Sequence, residues 1–337
     1  MATIGTSALT LGDIAKRMDG DLDKIAAVVE VLSSQNDILT VLPYKEGNTT
    51  TGHRTTLRSG LPTVGTRRIN QGVTPSKSTT KQVDESVMLL ESYSEIDVET
   101  LRLGGKESEI RASEDVAAIE AMNQYVATSL FYGNPANDID SFLGLTPRYA
   151  SLSGEHGNQI FDAGGAGTDN TSVWLVGMGD KGLHGIYPKG TKAGIERVDL
   201  GEQYIQENGT RRTAKVTKFV WHNGIAVKDY RHIMRIANID VSNLETFGSS
   251  SDTSANLLRF MIKALNRVPG NPESKSYGLK YFFLVNETTK TWADIMRTEK
   301  ANGAFGLKEI DGIEFTTFRG VPVLKCDAIT VAESQVS

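Results

Sequence analysis

The sequence predicts an α+β fold, with helices and strands segregated along the chain, and three observations carry that expectation. No Gly or Pro interrupts Lys106 to Tyr132, where apolar residues recur at helical spacing. Residues 172–240 are strand-like, with short apolar runs between glycines. From Ser254 onward, helical and strand-like runs alternate, which suggests a small α/β lobe.

At the N-terminus, Thr10 and Asp13 form a capping pattern, and Leu11, Ile14 and Met18 predict a short helix ending near Gly20. Leu22, Ile25, Val29 and Leu32 mark one face of a second helix, and the apolar cluster Ile38, Leu39, Val41 and Leu42 leads into Pro43. This arm packs either on its own domain or on a neighbour.

Residues 45–82 then hold thirteen Ser or Thr and five Gly, with Lys45, Arg54, Arg58, Arg67, Arg68, Lys77 and Lys81 against the single acid Glu46, a net charge of +6. Fixing each backbone costs about 1–2 kcal/mol. The few apolar side chains, Leu57, Leu61, Val64, Ile69 and Val73, return roughly 1.5–3 kcal/mol each when fully buried. The segment is therefore either without fixed structure or ordered by lying on something else, for which an acidic surface on another copy would serve. Residues 83–120 supply such a surface: eleven acids face only Arg102, Lys106 and Arg111, a net charge of −8.

Ser86 to Leu103 mixes β-branched and apolar residues with acids and reads as an extended strand. In the helix that follows, Val116, Ile119, Met122, Val126 and Leu130 share a face. Ser113 is the expected N-cap, with Glu114 and Asp115 in the first turn, and Gly133, Asn134 and Pro135 end it. From 114 to 132 the rise of about 1.5 Å per residue gives a rod of roughly 28 Å. Taken alone, these residues fit equally an ordinary core helix behind an unstructured loop.

Phe142 to Tyr149 reads as a packed turn and Ser153 to Asn170 as a surface loop. Gln203–Gln206 and Ala214–Trp221 flank Asn208 and Gly209, which predicts a hairpin. Gly224–Val227 and Arg231–Ile239 fit either sheet or a brief helix. Helices are expected over Ser254–Arg267 and Thr288–Lys300, and strands over Tyr281–Val285, Ile313–Phe318 and Val321–Leu324.

Composition narrows the function classes. Hydrophobic content of 39% and charged content of 23% are those of a soluble globular protein. A net charge of −5 disfavours a general nucleic-acid binder. One cysteine, Cys326, rules out an internal disulfide framework. No secretory leader and no apolar run long enough to span a bilayer are read from the sequence, so no membrane partner is expected. Gly177, Gly179 and Gly182 around Lys181 lack Walker spacing, and Gly164, Gly165 and Gly167 do not open a helix after a strand, so no cofactor is expected. His53, His156, His184, His222 and His232 lack metal-ligand spacing. His222, near Asp229, has the elements of a general base but no nucleophile to activate. Lys77 and Lys81 raise a self-formed isopeptide crosslink, for which spacing alone does not align the groups.

A resemblance accounts for the pattern. Arg58-Ser59-Gly60-Leu61-Pro62, Arg67-Arg68-Ile69-Asn70-Gln71-Gly72 and Ser76-Lys77-Ser78-Thr79-Thr80 resemble the extended loop of major capsid proteins from short-tailed phages of the epsilon15 type. Asn36-Asp37-Ile38-Leu39, Phe131-Tyr132-Gly133-Asn134, Gly185-Ile186-Tyr187-Pro188-Lys189-Gly190 and Arg235-Ile236-Ala237-Asn238-Ile239-Asp240 extend the likeness over most of the chain. It implies an HK97-like fold: an N-terminal arm (1–44), an extended loop (45–85), a peripheral domain (86–240) on a spine helix (114–132), and an axial domain (241–337). It also implies a virion protein, assembled in the host cytoplasm, that forms pentamers and hexamers of an icosahedral shell. Scaffolding, portal and decoration proteins are its expected partners, and packaged DNA is touched only non-specifically. A nanocompartment shell of the encapsulin kind is the alternative, and an enzyme is a distant third. On this reading Arg54, Arg58, Arg67, Arg68, Lys77 and Lys81 of one subunit meet Glu91, Glu95, Glu99, Glu114, Asp115 and Glu120 of its neighbour.

Overall fold

The computed structural model describes residues 34–104, 106–207, 209–245, 253–270, 278–298, 305–310 and 313–337. The helices expected between Thr10 and Leu32 lie outside these residues. In chain order the elements are α1 (Ile38–Val41), β1 (Tyr44–Glu46), β2 (Gly52–Gly60), β3 (Thr79–Ser86), β4 (Met88–Asp97), α2 (Val98–Gly104), α3 (Glu107–Tyr132) and α4 (Leu145–Arg148). They continue as β5 (Ile160–Asp162), β6 (Asn170–Met178), β7 (Leu183–Tyr187), β8 (Ile195–Glu207), β9 (Thr210–Val227), β10 (Ile233–Asp240) and α5 (Val241–Glu245). The rest are α6 (Thr253–Arg267), β11 (Lys280–Val285), α7 (Glu287–Thr298), β12 (Phe305–Ile310), β13 (Ile313–Phe318) and β14 (Val321–Lys325).

The described residues divide into two compact units, one drawn from 34, 89–126 and 192–223, the other from 35–88, 127–191 and 224–337. This is a division by packing. The consecutive arm, loop, peripheral and axial segments expected above divide the chain by role in a shell.

The larger unit is built around β6, whose nine residues are all buried. A strand buried on both faces needs a continuous apolar run, and Val173-Trp174-Leu175-Val176 supplies one. β10 and β11 flank β6, both antiparallel to it. β14 extends the sheet parallel to β11, and β13 and β12 follow antiparallel. Leu257, Met261 and Leu265 of α6 and Trp292 and Met296 of α7 cover one face, with Leu175, Met234 and Phe283 beneath them. On the other face Trp174 meets Phe131, at the end of α3, and Tyr149.

Two open readings are decided here. Gly224–Val227 and Ile233–Asp240 are sheet, separated by a single 3-10 turn at Tyr230–His232. The loop expected from Ser153 to Asn170 is corrected: it holds β5, which pairs parallel with β10. β12 was not anticipated either.

In the smaller unit the hairpin of β8 and β9 turns at Gly209, whose φ of +79 is the left-handed conformation that glycine adopts without strain. The expected strand from Ser86 to Leu103 is shorter, because Asp97 Oδ1 accepts the Glu99 N–H at 2.8 Å and starts α2. The long helix begins at Glu107, not 114, so Ser113 is an interior residue and not its cap. Glu107 and Glu109 occupy the first turn, where acids suit the helix dipole. Val116, expected on the apolar face, is 56% exposed, whereas Ile110, Met122 and Val126 are buried.

Candidate inter-subunit surface

The basic segment is a hairpin with a bare tip. β2 and β3 pair antiparallel from Gly52↔Ser86 to Gly60↔Thr79. A Cβ at Gly52 would lie 1.9 Å from the Glu85 carbonyl oxygen, so the two backbones meet at the stem only because that position is glycine. Arg54 sits opposite Asp84 and donates to both carboxylate oxygens, at 2.6 and 2.9 Å. That hydrogen-bonded guanidinium holds the Asp84 carboxyl below its ordinary range. Asn48 fixes the same position by accepting the Arg54 N–H and donating to its carbonyl, both at 2.7 Å. At the foot, Arg148 grips buried Glu85 at 2.7 and 2.5 Å, and Lys81 reaches Glu155 at 3.4 Å.

Beyond Gly60 residues 61–77 are all exposed. Leu61, Val64 and Ile69 are 81%, 94% and 90% exposed. The only internal order is a turn, Gln71 N–H to the Arg68 carbonyl with Asn70 at φ +69, and a Ser76 hydroxyl donating to the Thr63 carbonyl. Arg58, Arg67, Arg68 and Lys77 are exposed and form no ion pair among the described residues. The six expected cations therefore divide. Arg54 and Lys81 are engaged within the chain, and the other four stand on or next to the tip.

The acidic stretch is not a free surface, which the sequence reading missed. Glu91 accepts from Lys218 at 2.7 Å and from the Tyr93 hydroxyl at 3.1 Å, and the Lys218 ammonium lowers its pKa. Glu95 meets Arg212 at 3.3 Å, Glu107 meets Lys215 at 2.5 Å, and Asp115 meets Arg197 at 2.7 Å. Arg111 on α3 in turn reaches Asp199 at 2.7 Å. Glu120 accepts the Ser34 N–H at 3.0 Å and Gln124 Nε2 at 2.8 Å, while Glu114 lies half-buried on α3. Of the six named acids Glu99 is held most loosely, 3.7 Å from Arg102 with its side chain 70% exposed. The missed signal is the basic run Arg211, Arg212, Lys215 and Lys218, a counter-charge about a hundred residues along the chain.

The histidines are spread over separate surroundings. His53 on β2 and His184 on β7 meet in a T-shaped arrangement with ring centroids 5.8 Å apart, and His232 Nδ1 lies 2.7 Å from the Tyr281 hydroxyl. Asp229, considered as an orienting acid for His222, is gripped by Arg231 at 2.7 Å. No group of three metal-ligating side chains converges among the described residues.

Comparison with known proteins follows the fold. The family described as major capsid protein GP7 matches residues 20–337. The solved structure of bacteriophage epsilon15 is similar over 100% of this chain and 99% of that chain, at 28% identity and a TM-score of 0.77. The bacteriophage JBD30 capsid is similar over 88% of this chain and 92% of that one, at 11% identity and a TM-score of 0.48. The SrpI encapsulin complex from Synechococcus elongatus covers 69% of this chain and 97% of its own, at 11% identity and a TM-score of 0.45. The last two are too distant to bear on function. No curated protein matches the chain.

Proposed function

The chain belongs to the family of major capsid protein GP7, and from that membership we propose that it tiles as pentamers and hexamers into an icosahedral phage head around double-stranded DNA. It is a phage major capsid protein, a structural component of a multimeric shell and hence of the virion. Residues 1–44 act as the N-terminal arm, 45–85 as the extended loop, 86–240 as the peripheral domain with its spine in α3, and 241–337 as the axial domain. Assembly takes place in the host cytoplasm with scaffolding and portal proteins, a decoration protein binds the finished shell, and no step is catalytic. Contact with DNA is weak and sequence-blind, as a net charge of −5 favours.

The observation that supports this reading best is the hairpin tip, an apolar and cationic stretch that nothing among the described residues covers. Arg54, Arg58, Arg67, Arg68, Lys77 and Lys81 are proposed to face the acidic flank of a neighbour, with Arg58, Arg67, Arg68 and Lys77 free to do so at once. Glu91, Glu95, Glu114, Asp115 and Glu120 would have to share or exchange partners, so Glu99 is the first acid to be met. An exposed pair contributes about 0–1 kcal/mol, so charge sets register while buried apolar area holds the shell. Many such contacts in a closed shell reinforce one another. Reversing Arg58, Arg67 and Arg68 together to Glu leaves a folded, soluble subunit that forms no shells. Normal particles of that variant under the electron microscope would reject the role.

A further inference from the structure

Among the described residues β2 and β3 form a two-stranded sheet of their own, so no ladder of backbone hydrogen bonds fixes their angle to the larger sheet that contains β7. Side chains at the foot hold the hairpin instead. On the β3 side Glu85 is locked into its bidentate pair with Arg148. On the β2 side His53, in register with Glu85, rests its ring against that of His184. Higher on the stem Leu57 and Val83 border a cleft of about 420 Å³ opposite Leu143 and Pro147, and the Lys81 contact to Glu155 is long and exposed. The β2 foot therefore depends on one pair of imidazoles, with open space beside the stem.

That pair is poor in hydrogen bonds and surrounded by committed charges. Both ring nitrogens of His184 and Nδ1 of His53 are buried without a hydrogen bond of normal geometry among the described residues. The charged groups that face the two rings are Lys228 after β9, Asp180 before β7 and Glu85 on β3. Asp180 is itself held by Lys228 at 2.9 Å and by Lys45 of β1 at 2.8 Å, and Glu85 is held by Arg148. Three cations thus already outnumber two acids. A proton arriving on either ring adds to that excess away from water. His184 is enclosed at 0% exposure within β7, whereas His53 is half-buried and sits on the element that can move.

We propose that the His53–His184 contact is a proton-operated latch on the hairpin: the neutral rings dock the β2 foot on β7, and protonation turns His53 out to water and frees the hairpin to pivot about the Glu85–Arg148 anchor. Docked, His53 titrates below its ordinary value, through burial and then Lys228, against Glu85 and Asp180. Turned out to water it regains that value, so protons favour release as pH falls below about 6.5 and the latch is closed above it. The latch lies within one subunit and holds whether or not the tip meets a neighbour.

Pulsed electron-spin distance measurement on the full chain tests the latch. Nitroxides are attached at Thr80→Cys, exposed at the far end of the stem, and at Lys189→Cys, exposed just after β7, while the native thiol, Cys326, is fully buried. Labelled chain is mixed into a large excess of unlabelled chain, so that only distances within one copy are read. With His53 in place, the expected result is one narrow distance at pH 8 whose distribution at least doubles in width by pH 5. His53→Phe keeps a ring against His184 but takes no proton, and should hold the narrow distance at both pH values. His53→Arg is charged throughout and should give the broad distribution already at pH 8. An unchanged distance with His53 present, equal broadening in the His53→Phe chain, or a narrow distance at pH 8 in a folded His53→Arg chain each overturns the latch. Where circular dichroism shows that His53→Arg does not fold, the His53→Phe comparison decides alone. None of these outcomes bears on shell formation, which microscopy reads separately.

Discussion

His184 is fully buried, neither ring nitrogen finds a hydrogen bond of normal geometry among the described residues, and its pKa is lowered to about 4. Burial is the main cause, with the Lys228 ammonium and the neighbouring His53 ring adding to it against Asp180. His53 is lowered too, by burial and Lys228, against Glu85 and Asp180. An unfolded imidazole titrates near 6.5, so between about pH 6.5 and 4 the unfolded chain binds a proton that the native chain refuses. Stability is therefore full above that window and falls as pH drops through it, by at most about 1.4 kcal/mol per unit from this group. Calorimetry of a His184→Leu variant should show a flatter dependence than the native chain between pH 6.5 and 4.5; equal slopes would contradict the assignment. Arg235 and Glu333 make the opposite kind of burial, a paired one. The guanidinium donates to Glu333 at 2.8 Å, to Ser172 Oγ at 3.0 Å and to the Tyr149 carbonyl at 2.7 Å, with Trp174 against its face. Glu333→Ala strands that charge and should cost about 3–5 kcal/mol in urea unfolding. Removing exposed Glu99 should change stability by less than about 0.5 kcal/mol.

At the level of elements, chain-local chemistry was readable and long-range pairing was not. The hairpin at Gly209, the helix over 253–267 and the strands around Arg319 and Gly320 follow from turn residues and periodicity, and the structure has all three. The start of α3 did not follow. Ser113-Glu114-Asp115 imitates a cap, but nothing before it breaks a helix until Gly104 and Gly105, so the helix runs on to Glu107. Ala112→Pro separates the two boundaries. Six residues into a helix, proline removes a hydrogen bond and should cost about 3 kcal/mol, read as a lowered melting temperature; ahead of a helix starting at 114 it would be nearly neutral. The acidic flank failed for a different reason. Arg197, Arg212, Lys215 and Lys218 become its partners only once β8 and β9 fold against it, and spacing carries no sign of that.

For the whole molecule the same finding moves the weight from charge to apolar area. On the proposed contact, most of the acids already have partners within the chain, so the free energy of association would come mainly from the aliphatic tip. Salt screens exposed charges beyond about 3 Å at 1 M, so assembled shells should survive transfer from 0.15 M to 1 M salt in light scattering. Dissolution would return the leading role to ion pairs. The capsid resemblance was legible because its short motifs recur over most of the chain, and the family match bears it out. Which surfaces meet was not legible, since a contact between copies leaves no spacing within one.

The bareness of residues 61–77 also makes the lone subunit easy prey. Trypsin cuts after Arg58, Arg67, Arg68 and Lys77, four positions on or beside the stretch with the least protection. On the proposed assembly a copy already built in is covered there, so limited trypsin digestion should nick free subunits well before finished particles, and equal cutting of both would count against that cover.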